Sequence, residues 1–334
     1  MSIPKTMQAI RFNPPGGPEK LQLTSIPVPE PTEPGQILVK VAFTSVIWTE
    51  LGWPIYQDST GAYHPATPTR DYAGVIVATS PTGMEDSGIS VGSEVMCFPN
   101  EWASVGLKYA GGLAEYALCD VKCAVPKPQG VKFVDAASVP LSALTAWQGL
   151  FDQPEKPLAK GMKVLITGAA GSTGTWAVQF AKQVGATVVG TASSEWSKRT
   201  LKELGCDDII DYKTQSPLSD YVKDVDLVLD TVGGESTLVE LPKVLKNGGE
   251  VVSIVTYDVE QQMKGHDVKA KFFIWTQNAS QMRKIAEMIG KGELKCFVDA
   301  VYPMEKAEEA YKKAQSGHLQ GKVMVEVGGE DVSG

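Results

Sequence analysis

The sequence predicts an α/β protein that contains two kinds of sheet. Short runs rich in β-branched residues, separated by proline and glycine, fill residues 7 to about 125, which is typical of a mostly antiparallel, barrel-like β domain. From about residue 135, strand-like runs alternate with helix-like runs, which indicates βαβ units and a parallel sheet. A final strand-like run, "GKVMVEVGG", indicates that the β domain is discontinuous.

The first part of the chain supplies the strands of the β domain. Four runs have strand composition and turn-forming boundaries: "ILVKVAFTSV", "YAGVIVATS", "SEVMCF" and "LAEYALC". Two long loops follow some of these runs, at residues 52–69 and 98–112, and long loops in compact domains are often functional.

The second part begins with the helical periodicity of "DAASVPLSALTAWQGLF". Strand-like runs follow, namely "KVLIT", "TVVGTA", "DIID", "DLVLDTVG" and "GEVVSIV". The helix-like runs between them are "TWAVQFAKQVG", "SKRTLKELG" and "STLVELPKVLK". We therefore expect one domain from residues 1–126 plus 295–334 and a second domain from residues 127–294.

Composition excludes several classes of function. The chain has 334 residues, of which 43% are hydrophobic and 21% charged, a globular balance. A net charge of -8 argues against a nucleic-acid partner, which needs clustered cations. No apolar run is long enough to span a membrane, and the N-terminal residues lack a signal-like apolar core. Five scattered cysteines indicate a reduced compartment, so we expect a cytoplasmic protein. We expect either a monomer or a homodimer.

A glycine-rich turn predicts a dinucleotide site. Gly168, Gly171 and Gly174 stand between a strand and a helix with the spacing GxxGxxG. Residues without a Cβ let the backbone approach a pyrophosphate at the N-terminus of the helix. Because the turn is followed by a helix and a second strand, we interpret it as a dinucleotide-binding turn rather than a plain tight turn.

The end of the next strand indicates the choice of cofactor. NAD sites usually place a carboxylate there, whereas this chain has Ser193 and Ser194, with Lys198 and Arg199 just beyond. Hydroxyls and cations suit a 2′-phosphate, so we expect NADP(H) as the cofactor. Two alternatives stay open, because Lys198 and Arg199 also fit a solvated helix face and Glu195 is close enough for NAD.

The chain resembles the medium-chain dehydrogenase/reductase superfamily, in its zinc-free branch of quinone and enoyl reductases. The resemblance covers nearly the whole chain and is carried by "MQAIRF", "DYAGVIV", "GGLAEYAL", "SVPLSALTAWQGLF", "AAGSTGTWAVQFAKQVGA", "LGCDDIIDY", "DLVLDTVGG" and "GKVMVEV". It implies a GroES-like, partly open β-barrel domain beside a Rossmann domain, with the active site in the cleft between them.

The resemblance also assigns cofactor-binding residues. It implies that Ala169, Ala170, Gly171, Ser172, Thr173 and Gly174 surround the pyrophosphate. It places Ser193, Ser194, Lys198 and Tyr212 at the adenosine phosphate. Along the nicotinamide half it places Thr145, Asp230, Thr231, Val232, Gly233, Val255, Phe272 and Phe273, and it implies that Lys322 reaches the cofactor from the C-terminal segment.

The zinc ligands of related alcohol dehydrogenases are missing. Those enzymes have a cysteine where this chain reads "SVIWTE" and a His-Glu pair where it has Arg70 and Asp71. The chain has three histidines, none spaced as a ligand to another, and it lacks the four-cysteine lobe. We therefore expect no metal site, and hydride delivery to an already electrophilic acceptor.

The acceptor pocket departs from the quinone reductases of this branch. They often carry an asparagine and a tyrosine where this chain has Ile47 and Gly52. Trp48, Glu50, Trp53 and Phe98 are instead the residues that we expect in the pocket, which suits a flat conjugated molecule.

The expected reaction is NADPH-dependent reduction of an activated C=C bond, as in an enone, enal or enoyl thioester, or of a quinone. The negative charge that develops needs a proton donor, for which Tyr56, Tyr63 and Tyr72 are candidates, although packing residues have the same appearance. Two alternatives stay open. One is a trans-acting enoyl reductase of a polyketide-type pathway, and the other is a non-catalytic NADPH-binding protein.

Overall fold

The computed structural model describes residues 3–13, 16–52, 64–84, 87–99, 111–317 and 319–333. The strands in these residues are β1 (Thr6–Arg11), β2 (Gln22–Pro27), β3 (Gln36–Ser45), β4 (Tyr72–Thr79), β5 (Glu94–Cys97), β6 (Tyr116–Asp120), β7 (Ala124–Pro126), β8 (Lys163–Ile166), β9 (Thr187–Thr191), β10 (Asp208–Ile210), β11 (Val225–Asp230), β12 (Leu245–Ser253), β13 (Val268–Phe272), β14 (Val298–Pro303) and β15 (Lys322–Glu326). The α-helices are α1 (Phe133–Ser138), α2 (Pro140–Phe151), α3 (Ser172–Gln183), α4 (Glu195–Glu203), α5 (Glu235–Leu238), α6 (Leu241–Val244), α7 (Val259–Gln262), α8 (Ala279–Gly290) and α9 (Ala307–Gln315).

The chain forms two compact units. The first unit is Met1–Leu141 with Gln277–Gly334, and the second unit is Ser142–Thr276. These bounds differ from the predicted ones at 126/127 and 294/295, because α1 packs against β3 and β4 and α8 packs against β7. Both helices therefore belong to the first unit.

The first unit contains a seven-stranded sheet in the order β14-β15-β3-β4-β5-β7, with β6 also paired to β3. Its neighbours are antiparallel except for β14 and β15, which run in parallel. The C-terminal strand β15 pairs with β3, with Met324 opposite Ser45. The predicted return of the end of the chain to the β domain is thus confirmed.

The second unit contains six parallel strands in the order β10-β9-β8-β11-β12-β13. The chain starts in the middle at β8, extends the sheet to one side through β10, and then returns to β11 on the other side. This doubly wound order confirms the parallel sheet that the alternating pattern predicts. It leaves a crevice at the carboxyl ends of β8 and β11, where such sheets bind ligands.

Two helical stretches of the sequence are each divided in the structure. The stretch at residues 133–151 forms α1 and α2, and α2 begins at Pro140, which lacks an N–H and suits the first turn of a helix. The run that contains Pro242 likewise forms the short helices α5 and α6. None of the helices in the described ranges has the length and apolar composition needed to cross a membrane.

Candidate functional site

The turn between β8 and α3 lies at the carboxyl edge of the parallel sheet. Gly168 has a φ of +61°, in the left-handed region that favours glycine. Its N–H donates to Thr191 Oγ1 at 2.9 Å, and its carbonyl accepts from the N–H of Gly171 at 2.9 Å. The turn is therefore attached to β9 and closed on itself.

Two glycines of this turn leave no space for a side chain. A Cβ at Gly174 would lie 2.6 Å from the Cα and the carbonyl carbon of Ala169. A Cβ at Gly168 would lie 2.7 Å from Val232 Cγ2. At Gly171, by contrast, the nearest atom of the described chain outside the adjacent residues would be the carbonyl oxygen of Gly168, at 3.2 Å. The glycines thus serve close packing at two positions and leave open space at the third.

The N-terminus of α3 fits an anion. Gly171 precedes the helix and supplies no side-chain cap. The first N–H groups of a helix have no acceptor within it, and the helix dipole places partial positive charge there. Ser172 and Thr173 are partly exposed, whereas Ala169 and Ala170 are buried. The predicted pyrophosphate residues therefore lie together at one helix end, and that end suits a pyrophosphate.

Asp230 at the end of β11 holds the neighbouring loops together. Its side chain has no exposed surface. Its Oδ1 accepts from Thr167 Oγ1 at 2.8 Å and from the N–H of Gly233 at 2.9 Å, and its Oδ2 accepts from Ser253 Oγ at 2.8 Å. The sequence predicts Asp230 as a residue that contacts the cofactor. The structure instead makes it a residue that positions the loops after three strands.

The loops after β11 and β12 form a cavity of about 530 Å³. Thr231, which precedes the lining residues, is fixed because its N–H donates to Thr167 Oγ1 at 2.9 Å. Val232 and Val255 are both exposed. The cavity is lined by Val232, Gly233, Gly234, Glu235, Leu238, Val255, Thr256, Tyr257, Asp258 and Gln262. Three residues predicted for the nicotinamide half, Val232, Gly233 and Val255, are therefore neighbours here.

Serine and tyrosine hydroxyls meet after β9 and β10. Ser193 Oγ donates to Tyr212 Oη at 2.9 Å, and both residues keep exposed surface. Ser194 is engaged differently, because its Oγ caps α4 by accepting from the N–H of Ser197 at 3.0 Å. Ser193 and Tyr212 therefore remain the better placed hydroxyls for a ligand at this edge.

Lys198 has two acidic partners that sequence reasoning did not identify as a group. Its Nζ lies 2.8 Å from Asp211 Oδ2 and 3.0 Å from Glu195 Oε1. The hydrogen bond to Asp211, followed by that to Glu195, raises the pKa of Lys198. In turn, Lys198 lowers the pKa of Asp211. The predicted 2′-phosphate site thus contains a paired lysine rather than a free one.

Three further predicted cofactor residues are distributed around the second unit. Thr145 on α2 is almost fully buried. Phe272 packs edge-to-face on Tyr257, with ring centroids 5.5 Å apart. Phe273 is buried, and its ring lies 3.4 Å from the position of a Cβ at Gly149. The two phenylalanines therefore contact different neighbours, and their place at the wall of a nicotinamide pocket stays a prediction.

A buried polar cluster in the first unit surrounds Glu50. Glu50 has no exposed surface, and its Oε1 accepts from Tyr311 Oη at 2.5 Å and from the N–H of Ile47 at 3.0 Å. Its Oε2 accepts from the N–H of Thr69 at 3.2 Å, and Thr69 has a φ of +74°. The prediction that Glu50 lines the substrate pocket is therefore replaced by a structural role.

Lys322 belongs to the same cluster. Its Nζ lies 3.8 Å from Asp71 Oδ2, and both side chains are buried. The N–H of Leu141 donates to both Oδ1 and Oδ2 of Asp71, each at 3.1 Å. Arg70 is buried beside them. The observed partner of Lys322 is thus a carboxylate of its own unit, and its contact with a cofactor stays a prediction.

The remaining predicted residues have different environments. Trp48 is exposed, whereas Phe98 is fully buried in the first unit. Tyr72 has no exposed surface, and its hydroxyl donates to the carbonyl of Leu118 at 3.2 Å, so it is a packing residue rather than a proton donor. Trp53, Tyr56 and Tyr63 lie outside the described residues.

The buried carboxylate of Glu50 predicts a pH-dependent stability. Burial raises the pKa of Glu50 to about 7, against the opposing hydrogen bond from Tyr311 and the charges of Arg70 and Lys322. An unfolded glutamate has a pKa of about 4.3. Between these values the folded protein holds a proton that the unfolded chain releases. The free energy of unfolding should therefore be highest below the lower value and fall as pH rises to about 7.

Glu50→Gln should remove this part of the pH dependence. The difference in the free energy of unfolding between wild type and Glu50→Gln should change by about 3 kcal/mol between pH values of about 4 and 8. Urea unfolding across that range measures it, and the exposed Glu305→Gln provides the matched control that keeps the wild-type pH dependence. Parallel curves for wild type and Glu50→Gln would show that Glu50 is not the group that titrates.

At the position that the resemblance assigns to the superfamily's metal ligands, the described residues of the first unit do not form a zinc ligand set. No group of three His, Cys, Asp or Glu side chains with suitable geometry occurs among the described residues. Arg70, which corresponds to this position in the sequence, is buried and its Nη1 donates to the carbonyl of Pro99 at 3.4 Å, and the ammonium of Lys322 is paired with Asp71. Two fixed cations oppose a third, so the residues present do not fit a zinc ion.

Known protein families match both parts of the chain. The model described as "Alcohol dehydrogenase GroES-like domain" matches residues 33–129, and the model described as "Zinc-binding dehydrogenase" matches residues 204–325. The chain is also similar to a solved structure of the quinone oxidoreductase from Coxiella burnetii, with a TM-score of 0.86 and 27% identity over 97% of this chain and all of that one.

Two relatives extend the similarity over almost the full length. The "Probable zinc-binding oxidoreductase, mitochondrial" of Arthroderma benhamiae is 32% identical over 98% of each chain. The "NADPH-dependent alkenal/one oxidoreductase, chloroplastic" of Arabidopsis thaliana is 31% identical over 97% of this chain and 80% of its own length. Both names refer to organelles, so the cytoplasmic location stays a prediction. Together with the fold, these similarities establish that the chain belongs to the medium-chain dehydrogenase/reductase superfamily of oxidoreductases, in the branch of quinone and enoyl reductases.

Proposed function

We propose that this protein is an NADPH-dependent reductase that transfers hydride to an activated C=C bond or to a quinone without zinc. The observation that carries the proposal is the common edge of the parallel sheet. The uncapped N-terminus of α3 follows β8, and the Ser193–Tyr212 hydroxyl pair with Lys198 follows β9 and β10. Together they match the pyrophosphate and the 2′-phosphate of one dinucleotide.

Different residues of the second unit would bind different parts of the dinucleotide. The N–H groups at the start of α3 would hold the pyrophosphate, and Lys198, Ser193 and Tyr212 would hold the adenosine phosphate. Asp230 would hold the loops after β8, β11 and β12 in fixed positions at the nicotinamide half. When bound, the nicotinamide supplies the hydride. The NADPH dependence named for the Arabidopsis relative supports this assignment.

The choice of acceptor follows from the charges of the first unit. Arg70 and Asp71 replace the His-Glu pair of metal-dependent relatives, and Lys322 is paired with Asp71, so these residues would not hold the metal that stabilises the alkoxide of a simple alcohol. A conjugated ketone, aldehyde or quinone is electrophilic without a metal. The alkenal/one and quinone activities named for two similar proteins support acceptors of this class.

A panel of acceptors tests the proposal. NADPH absorbance is followed with an α,β-unsaturated ketone, a quinone and a simple aldehyde, and NADP is offered with a secondary alcohol, each with and without a chelator. We expect the conjugated acceptors to react at least about tenfold faster than the other two, with no effect of the chelator and no stoichiometric zinc by elemental analysis. Faster turnover of the alcohol, or loss of activity in chelator, would refute the proposed reaction. NADPH binding without any turnover would favour a non-catalytic or carrier-dependent protein.

A further inference from the structure

The ammonium of Lys198 lies between two carboxylates of unequal exposure. Its Nζ lies 2.8 Å from Asp211 Oδ2, whose side chain is 14% exposed, and 3.0 Å from Glu195 Oε1, whose side chain is 87% exposed. Glu195 is thus free to turn into solvent when a ligand arrives, whereas Asp211 is enclosed.

Backbone hydrogen bonds fix Asp211 at the carboxyl end of β10. Its Oδ1 accepts from the N–H of Lys213 at 3.0 Å. Its own N–H donates to Gln215 Oε1 at 2.7 Å, and its carbonyl accepts from the N–H of Gln215 at 2.7 Å. The next residue, Tyr212, is the partner of Ser193. The carboxylate therefore cannot leave the edge at which an adenosine phosphate would be bound.

The charges at this edge are mixed, and the carboxylates offset part of the positive charge. One lysine and two carboxylates carry a net charge of -1 (one positive and two negative charges). A phosphate ester adds a charge of about -1.5 to -2 near pH 7. Lys198 attracts that phosphate, Arg199 beside it in the sequence and Lys213 near Asp211 add two further cations, and Asp211 repels the phosphate. Asp211 thus cancels part of the attraction that a 2′-phosphate would gain.

We infer that Asp211 is a specificity-determining residue that keeps the preference for NADPH over NADH small, so that both dinucleotides bind. This inference rests on the proposed 2′-phosphate site. One charge about 5 Å from a phosphate dianion in water changes its binding by roughly fivefold at physiological salt. Removing the charge of Asp211 therefore raises the affinity for ligands that carry a 2′-phosphate and leaves the affinity for ligands without one unchanged.

Asp211→Asn tests the inference, because asparagine removes the negative charge and keeps one side-chain oxygen that can accept from the N–H of Lys213. Equilibrium titration with 2′,5′-ADP and with 5′-AMP isolates the 2′-phosphate without any reaction. We expect Asp211→Asn to bind 2′,5′-ADP about fivefold more tightly and 5′-AMP within twofold of wild type, with the same trend for NADPH and NADH. The gain should shrink at high salt.

Asp207→Asn is the matched control. Asp207 precedes β10, forms a 2.7 Å ion pair with Lys182 and accepts from the N–H of Val188, so it has the same chemistry at the opposite end of the strand. Its substitution should leave both affinities unchanged. Equal or weaker binding of 2′,5′-ADP by Asp211→Asn, or an equal gain for 5′-AMP, overturns the inference.

Lys198→Ala separates this inference from the proposed function. If Lys198→Ala weakens 2′,5′-ADP about tenfold or more and spares 5′-AMP, the 2′-phosphate site stands, and the Asp211 result alone decides the inference. If Lys198→Ala affects both ligands equally or neither, the assignment of the 2′-phosphate fails, and the inference fails with it.

Discussion

Gly174→Ala is expected to reduce the affinity for NADPH by about 100-fold, the scale of effect that a displacement of about 1 Å has at a positioned site. The added Cβ would lie 2.6 Å from two backbone carbons of Ala169 and would also meet the carbonyl oxygen of Gly168. Backbone atoms cannot turn aside as a side chain can, so the glycine turn must move away from the helix end. Fluorescence titration with NADPH measures the loss, and Gly52→Ala, where no described atom lies within 4 Å of the new Cβ, is the control.

Gly171→Val, unlike Gly174→Ala, should block the approach of the pyrophosphate without distorting the glycine turn. At Gly171 the new Cβ would meet one described atom outside the adjacent residues, at 3.2 Å, and the φ of -74° suits any residue. The melting temperature should therefore stay close to that of wild type while NADPH binding fails, because the branched side chain stands where the pyrophosphate approaches. Wild-type affinity in a folded Gly174→Ala or Gly171→Val protein would show that the dinucleotide binds elsewhere.

Asp230→Ala is expected to lower the free energy of unfolding by about 3–5 kcal/mol. The substitution removes a fully buried carboxylate and leaves the hydroxyls of Thr167 and Ser253 and the N–H of Gly233 without their acceptor. The loops after β8, β11 and β12 should then open, which hydrogen exchange of their amides detects. Urea unfolding gives the free energy.

Asp258→Ala is the matched control for Asp230→Ala. Asp258 is exposed in the same unit and accepts from Gln262 Nε2 at 2.9 Å. Surface substitutions of this kind usually change stability by less than about 0.5 kcal/mol. A loss below about 1 kcal/mol for Asp230→Ala would mean that the buried hydrogen bonds are replaced from elsewhere.

The elements that the sequence predicts best are those with a local signal. The run "KVLIT" and the three glycines after it predict β8, the turn and α3, because composition and spacing are properties of one segment. Pro140 also carries a local signal for the start of α2, although the periodicity around it indicated one continuous helix.

The partners of charged residues are often distant in sequence, so the sequence alone did not predict which side chains form ion pairs or hydrogen bonds. Lys198 and Asp211 meet because β9 and β10 are neighbours in the sheet. Glu50 and Tyr311 are 261 positions apart and meet because the end of the chain returns to the first unit. Sequence reasoning can identify Lys198 as a cation near the cofactor, but whether a carboxylate has already neutralised it depends on which strands are adjacent.

The pairing of β15 with β3 also determines the order in which the two units can fold during synthesis. Residues Phe43, Thr44 and Ser45 of β3 pair with Glu326, Val325 and Met324. All six strands of the second unit, in contrast, have been made by residue 272. The growing chain can therefore complete its second unit first. Until β15 has been made, residues 43–45 of β3 lack their partner strand in the first unit. During that time, this edge of β3 is open to pairing with strands of other chains.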